Sequence, residues 1–458
     1  MKLYNSLTKQ VETFVPLQDN QINLYVCGMT VYDLCHIGHA RVFVVYDAFV
    51  RFLRAQGLQV MFVRNITDID DKIIKRAAEN QESIEALTTR MIQFMHEDER
   101  ALGLISPDVE PRATAYIPKM LEIIAALMEK DYAYVAGNGD VCYDVRKFKE
   151  YGKLSHRNLD ELQAGARIEV EEGKRNPFDF VLWKLAKPSE PNWSSPWGAG
   201  RPGWHIECSA MASELLGQPF DIHGGGIDLK FPHHENEIAQ SEAACDCHYV
   251  NTWMHVGHVQ VDSEKMSKSL GNFLTIRDAL AQYHSEVIRY FLLSAHYRSP
   301  LNFSKENMQN AQAALTRFYT TLRDVEVAAE HLKSEYSIKF IQALEDDFNT
   351  PAACAVLFDL TTEINRCREQ GNFSRASVLA NELKQLGNML GILKENPNDF
   401  LKGHVSAADS SKIEALIVER NQARAAKDWA RADAARDELV KMNIIIEDTP
   451  GGTIWRKK

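Results

Sequence analysis

Two rhythms of apolar residues run along this chain. Ile22-Asn23-Leu24-Tyr25-Val26 alternates as a strand does, and it leads into Cys27-Gly28 and then His36-Ile37-Gly38-His39. Val42 to Leu53 is densely apolar and predicts a buried helix. Gln59 to Arg64 predicts a second strand, and Asn65-Ile66-Thr67-Asp68 separates it from a helix starting near Lys72. Strand, helix and strand with short connections is the pattern of a parallel sheet. Ligands of such sheets bind at the carboxyl ends of the strands. Cys27 and Thr67 both fall just past predicted strand ends, so they are expected to share one pocket.

The rhythm breaks after residue 114. A helix and Tyr143-Asp144-Val145 give way to chain punctuated by Pro188, Pro191, Pro196, Gly198, Gly200, Pro202 and Gly203. Residues 115–200 therefore read as an insertion between two halves of a catalytic domain, 1–114 and 201–305. Trp204 to Leu216 predicts a helix closed by Gly217. Pro232 is expected in the first turn of another. A helical bundle is expected over 306–395, with Thr350 as N-cap and Pro351 at the first helical position of one member. Asn396-Pro397-Asn398 and Gly403 to Ser411 read as linker. The rest, 411–458, is a module of two charged helices split near Lys427-Asp428, followed by Ile444-Ile445-Ile446, a Pro450-Gly451-Gly452 turn and Thr453-Ile454-Trp455. The expected class is α/β: a Rossmann-like parallel-sheet nucleotide-binding catalytic domain split by an insertion, then a helical bundle, then a small C-terminal module.

Composition narrows the setting. The chain has 458 residues, is 45% apolar and carries a net charge of −11. No stretch reaches the ~18–20 apolar residues that span a bilayer, and the N-terminus lacks a signal-peptide layout, so a cytoplasmic protein without a membrane partner is expected. Eight cysteines in so long a chain point to buried thiols, metal ligands or catalytic groups, not to a disulfide scaffold. The acidic balance argues against a general nucleic-acid binder. An RNA partner needs a local basic surface; Trp455-Arg456-Lys457-Lys458 is either such a surface or a solvated tail.

Two motifs carry phosphate chemistry. His36-Ile37-Gly38-His39 sits at a helix entry, where unpaired N–H groups and partial positive charge suit phosphate. His36 and His39 can donate hydrogen bonds there without a fixed charge, and Gly38 admits close approach. Lys265-Met266-Ser267-Lys268-Ser269 offers two lysines that can follow phosphates into a transition state. Neither a Gly-x-x-x-x-Gly-Lys-Ser/Thr loop nor a Gly-x-Gly-x-x-Gly turn is present. In His223-Gly224-Gly225-Gly226 the glycines let the chain pass close to adenine or ribose. The expected ATP contacts are thus His36, Gly38, His39, His223, Gly225 and Lys268. Asp68, Asp70 and Asp71 either hold Mg²⁺ with ATP or form a solvated acidic turn.

A metal set is also legible. Cys27 ends a strand, Cys208 lies on the Trp204 helix, and His233 and Glu237 share a helix face four residues apart. Cys, Cys, His and Glu suit Zn²⁺. The alternatives are Cys208 as a core thiol, and His233 or His234 as a cap or nucleotide contact. Cys245-Asp246-Cys247-His248 is a second, compact metal-like group with no matching pair elsewhere.

The two phosphate motifs, in that order, resemble the class I aminoacyl-tRNA synthetases, which form an aminoacyl adenylate and pass the amino acid to tRNA. Four segments narrow the likeness: Cys27-Gly28-Met29-Thr30-Val31-Tyr32-Asp33, Asn65 to Lys72, Gly203-Trp204-His205-Ile206-Glu207-Cys208-Ser209, and Phe231 to Glu237. They are similar to the cysteinyl-tRNA synthetase family, and the likeness covers nearly the whole chain. It implies one Zn²⁺ per chain on Cys27, Cys208, His233 and Glu237. It implies ATP contact by Lys268, a catalytic set of His36, His39, Lys265 and Lys268, and Mg²⁺ entering with ATP. It implies L-cysteine, ATP and tRNA(Cys) as partners, with Arg424, Trp429, Asp433 and Asp448 reading the anticodon; a monomer is expected.

The physics agrees with that resemblance. Cysteine and serine differ by one atom, which a shape-only pocket separates by only ~100-fold. Zinc prefers thiolate to alcohol and so adds selectivity without an editing domain. Trp204, four residues before Cys208, and Thr67 would wall the cysteine pocket beside Cys27. Four protein ligands resemble a closed structural site, so the substrate thiolate must join or displace one. Two rivals remain at this stage: a ligase joining cysteine to a small amine through the same adenylate, and a catalytically silent RNA- or zinc-binding protein. The C-terminal module argues against the first, and the paired phosphate motifs against the second.

Overall fold

The alternating segment at Ile22 opens the central strand of a parallel sheet. In the computed structural model, which describes residues 1–158, 173–188, 190–262, 264–265, 273–328, 333–403, 407–449 and 452–457, β1 (Gln21–Thr30) leads to α1 (Ile37–Ala55) and β2 (Gln59–Thr67). Then come α2 (Asp71–Asn80), α3 (Ile84–Ala101) and α4 (Ile117–Glu129). Strands β3 (Ala133–Val135), β4 (Val141–Tyr143), β5 (Phe180–Leu185) and β6 (Gly200–Pro202) form their own antiparallel sheet. Its first three strands lie within the segment expected to be inserted, and β6 begins at that segment's last residue and runs past it. The chain returns through α5 (Trp204–Leu216), β7 (Phe220–Gly226), α6 (His233–Cys245) and β8 (Val250–Val256).

The central sheet has the order β8-β7-β1-β2, all parallel. The strand order reverses between β1 and β7, and the crevice outside such a switch point is where open α/β sheets bind ligands. The antiparallel sheet intervenes in sequence between β2 and β7, while β1 and β7 pair side by side in space. Tyr25, Val63, Ile124, Trp183, Ile206, Met211, Ile238 and Trp253 are buried in one core beneath this arrangement.

Both strands at the site run longer than the apolar alternation indicates. Thr30 pairs with Thr67, and the register shifts between Val26 and Met29. Cys27 and Thr67 therefore lie inside the ends of β1 and β2, not past them. The shift is a bulge at Cys27-Gly28, a device that re-aims a side chain. Gly28 is required there, because a Cβ would sit 1.7 Å from the Asn65 carbonyl oxygen.

Two units divide the chain. One holds Met1–Ala281, Leu292–Ser304 and Ile341–Ala353; the other holds Gln282–Phe291, Lys305–Phe340 and Cys354–Lys458 and is mostly helical. The expected cap at Thr350 moves by one residue. The helix begins at Thr350, the Asn349 carboxamide oxygen accepts from the Ala352 N–H, and the Thr350 hydroxyl donates to the Leu293 carbonyl. Pro232 likewise sits at the N-cap of α6, not in its first turn. The expected linker contains a short helix, Pro397–Lys402, and the next helix begins at Ala407. Helices Ala407–Ala425 and Trp429–Lys441 and the hairpin Ile444–Thr449 with Gly452–Lys457 form the last module, cored by Ile413, Ile417, Leu439, Ile444 and Trp455.

Candidate active site and metal centre

The start of α1 is built by its two histidines. His36 is the N-cap, and its Nδ1 accepts from the His39 N–H at 3.2 Å. His39 Nδ1 accepts in turn from the His36 N–H at 3.3 Å, and the rings stack at 3.5 Å between centroids. Burial, and next the neighbouring His36, hold His39 well below the usual imidazole range, so it is neutral. The Ile37 N–H is taken by the Leu274 carbonyl, and the Ile276 N–H by Cys35. Phe273 meets His36 edge-on at 5.3 Å. The chain following the lysine motif is thereby laced to the helix entry, with Gly38 between the two capping histidines.

Lys265 ends a short strand, Glu264–Lys265, paired with Val259–Val261. Lys268 lies outside the described residues. The three aspartates after β2 all have protein partners. Asp68 accepts from Thr114 at its N–H (3.0 Å) and hydroxyl (2.7 Å). Asp70 caps α2 through the Lys72 N–H at 2.8 Å. Asp71 pairs with Arg201, and with Lys184 at 3.0 Å.

The scattered metal-type residues do converge. Cys27 Sγ lies 3.6 Å from each of Cys208 Sγ, His233 Nε2 and Glu237 Oε1. His233 Nε2 and Glu237 Oε1 are 3.0 Å apart, and one donor atom from each of the four residues falls within 4.8 Å of all the others. Donors of a tetrahedral zinc, at bond lengths of ~2.0–2.3 Å, sit about 3.5 Å apart. The donor set and its spacing therefore fit such an ion. All four residues are buried.

A second sphere surrounds these donors, and it is only partly visible in the sequence. His223, expected near adenine or ribose, is fully buried with Nε2 2.9 Å from Glu237 Oε2. Tyr249 donates its hydroxyl to the same oxygen at 3.1 Å. Burial alone would raise the Glu237 carboxyl, but His223 and His233 outweigh it and hold the pKa well below the usual range. His205 Nδ1 meets His233 Nδ1 at 3.0 Å. His234, read from sequence as a possible cap or nucleotide contact, lies 3.4 Å from Cys27 Sγ and 2.9 Å from His255 Nε2. Cys27, His223, His234 and Glu237 form a second possible donor group. The glycines beside His223 have reasons of packing: a Cβ at Gly224 would meet the Tyr46 ring and hydroxyl, and one at Gly225 would touch His234.

Trp204 stacks on the His233 ring at 4.4 Å and keeps 39% of its surface exposed. Thr67 is buried near Glu207, its hydrogen-bond partner. Glu207 escapes sequence reading, because a glutamate one residue before a cysteine has no motif of its own. Its Oε2 finds no partner among the described residues, and burial, then Cys208, push its carboxyl well above the usual range. Cys245 and Cys247, the other metal-like pair, are joined as a disulfide, while His248 Nδ1 faces Glu242 at 3.2 Å.

In the last module, Arg424 pairs with Asp448, which Arg420 also holds at 2.8 Å. Trp429 and Asp433 are exposed and four apart on one helix face. Trp455 is core, and its indole donates to Glu414 at 2.8 Å.

Comparison with known proteins places this geometry. A methionyl-tRNA synthetase of Mycobacterium tuberculosis, solved with methionyl-adenylate, shares the fold at a TM-score of 0.62 with 14% identity, over 84% of this chain and 94% of that one. Residues 13–313 match the tRNA synthetase class I (C) catalytic domain, 339–394 the DALR domain and 409–456 the cysteinyl-tRNA ligase anticodon binding domain. The fold and the catalytic match define a class I aminoacyl-tRNA synthetase. Relatives named cysteine–tRNA ligase from Coxiella burnetii and Shewanella loihica are each 59% identical over the full length of both chains. The chain belongs to the cysteine–tRNA ligase family, whose activity is the charging of tRNA(Cys) with cysteine.

Proposed function

We propose that this chain activates L-cysteine with ATP and transfers it to the 3′-terminal adenosine of tRNA(Cys), working in the cytoplasm as a monomer with one Zn²⁺. The observation that carries the reading is the buried Cys27–Cys208–His233–Glu237 cluster, together with the histidine-capped entry of α1, the helix that follows the strand of Cys27. Zinc held there would bind the substrate thiol as thiolate and so separate it from the serine hydroxyl.

The remaining work falls to the chain's own groups. Cys27, Thr67 and Trp204 wall the cysteine side chain. His36, Gly38 and His39 present the α1 N-terminus to ATP phosphates, with Mg²⁺ entering alongside the nucleotide. His39, held neutral, donates or accepts there without adding charge. His223, expected at the nucleotide, is assigned instead to orienting Glu237, while Gly225 stays assigned to the nucleotide. The substrate carboxylate attacks the α-phosphate and pyrophosphate leaves. Lys265 and Lys268 stabilise the charge that develops on the phosphates. The 2′-hydroxyl of the tRNA terminal adenosine then attacks the mixed anhydride and AMP leaves. No protein nucleophile takes part, so positioning and charge stabilisation supply the catalysis. Arg424, Trp429, Asp433 and Asp448 read the anticodon.

The test is incubation with ATP, Mg²⁺, labelled cysteine and bulk tRNA. Base-labile label on the RNA is expected, with labelled serine at least ~100-fold slower. Adenylate formation without labelled RNA would overturn the tRNA assignment in favour of a small-molecule cysteine ligase.

A further inference from the structure

Cys245 and Cys247 stand apart from the other cysteines. Cys27, Cys35, Cys142, Cys208, Cys354 and Cys367 are buried and outside any disulfide, whereas Cys245 is exposed and Cys247 half-buried. Their Cα atoms lie 5.2 Å apart across Asp246, which turns the chain with φ of 54°. That separation is within the range a disulfide spans, so closing the bond demands no unusual backbone separation.

Their position is also particular. Cys245 is the last residue of α6, whose first turns carry His233 and Glu237. The Cys247 sulfur meets the Gln218 side-chain oxygen at 3.4 Å, and Gln218 also bonds Ser213 on α5, the helix that carries Cys208. The pair thus sits where the two donor-bearing helices end, away from their ligands. Lys130 donates to the Ala243 and Ala244 carbonyls and pairs with Asp246 at 2.6 Å. This cation ties down the last turn of α6 independently of the two sulfurs.

We propose that Cys245 and Cys247 form a reversible redox-modification site, switched by exchange with a small-molecule disulfide such as oxidised glutathione. The bond closes one of the shortest loops a chain can make, so it removes little freedom from the unfolded state and is a poor structural staple. Its exposure gives a small thiol or disulfide direct access. A thiolate of the pair attacks the reagent disulfide, forming a mixed disulfide and releasing one thiol. The second thiolate attacks that mixed disulfide, closing Cys245–Cys247 and releasing the second thiol. Two electrons pass from the pair to the reagent, and the two protons pass through solvent to the released thiols. The buried Cys27 and Cys208 stay outside this exchange.

The experiment is native-state alkylation with iodoacetamide, read by peptide mass, on the full metal-loaded protein equilibrated in glutathione buffers of graded potential. Under reducing buffer, both Cys245 and Cys247 should alkylate, while Cys27 and Cys208 should not. Under oxidising buffer, the 245–247 peptide should carry no alkyl group and weigh two hydrogens less than the free dithiol, with the transition reversing on dithiothreitol. Cys245→Ser should stop at a glutathione mixed disulfide on Cys247. Failure of the bond to form in oxidising buffer would overturn the proposal. So would a bond in the native protein that dithiothreitol cannot open, which would make it a permanent staple. Metal content, followed in parallel, should stay constant through the transition; loss of metal with oxidation would show that the reactive thiols are the buried donors instead.

Discussion

Glu237 shows how one side chain acquires two duties. Its Oε1 faces Cys27 and His233, while its Oε2 is held by His223 and Tyr249. That division leaves a single oxygen for a metal and fixes its direction. Partners of this kind typically change metal affinity 10–100-fold when removed. Tyr249→Phe deletes one hydrogen bond with no change of shape. Its zinc affinity, measured by chelator competition, should fall about 10-fold, with unfolding free energy lowered by about 1 kcal/mol. Unchanged affinity would mean that His223 alone orients the carboxylate. The four donors themselves were legible as residue types, since thiol, imidazole and carboxylate suit zinc. Their orienting partners were not, because His223 lies on β7, Tyr249 just before β8 and Glu237 on α6. Only the parallel sheet and the helix packed on it bring those three together.

At the scale of elements, the informative contact is the lacing of residues 273–276 to the entry of α1. Helix α7 (Ile276–Leu280) follows directly, with Thr275 and Asp278 closing a capping box at its start. Arg277 anchors that helix to α3. It pairs with Glu97 at 2.7 Å and Asp98 at 2.8 Å, and its guanidinium lies 4.3 Å from the centre of the Phe94 ring. Burial raises the Asp98 carboxyl to about 6 even against the pull of Arg277. Arg277→Met removes the anchor but keeps much of the apolar stem. It should slow cysteine-dependent pyrophosphate exchange about 10-fold in kcat through misplacement of the helix entry, with the cysteine KM unchanged. Stability should fall by only about 1–2 kcal/mol, since the pair is partly solvated. Arg277→Lys should recover part of the rate; equal losses in kcat and cysteine KM would mark a purely structural role. Elements of this kind were unevenly legible in sequence. The helices α1 and α5 announce themselves by apolar density and a closing glycine. Strand ends were short by several residues, because the bulge at Cys27-Gly28 interrupts the alternation that marks a strand. The cap at Asn349 was displaced by Thr350, a stronger-looking signal whose hydroxyl is spent on a distant carbonyl.

For the molecule as a whole, histidines whose pKa burial lowers bear on its response to acid. His255 hydrogen-bonds His234 and the Ser6 hydroxyl, and burial lowers its pKa to about 3. Below about pH 6.5 the unfolded chain takes up a proton that the folded chain refuses. Stability therefore drops as pH falls from there toward 3, at up to about 1.4 kcal/mol per pH unit for this residue. His255→Gln should flatten the dependence of the urea midpoint on pH between 6 and 4; an unchanged slope would place the acid sensitivity in other groups. The acidic body bears equally on how RNA is met. A net charge of −11 offers no general attraction to phosphate, so the proposed anticodon reading calls for local contacts in the last module. Its two tryptophans divide the labour: Trp455 is core at 6% exposure, whereas Trp429 is 61% exposed at the start of its helix. A large indole left in water, with Asp433 one turn on, is suited to stacking on an unpaired base, which is worth about 1–3 kcal/mol per base. Trp429→Ala should therefore raise the tRNA KM about 10-fold or more and leave cysteine-dependent pyrophosphate exchange and the unfolding midpoint unchanged. If exchange or stability fell with it, the indole would be serving the fold of the module, and reading of the anticodon would pass to the Arg424–Asp448 pair.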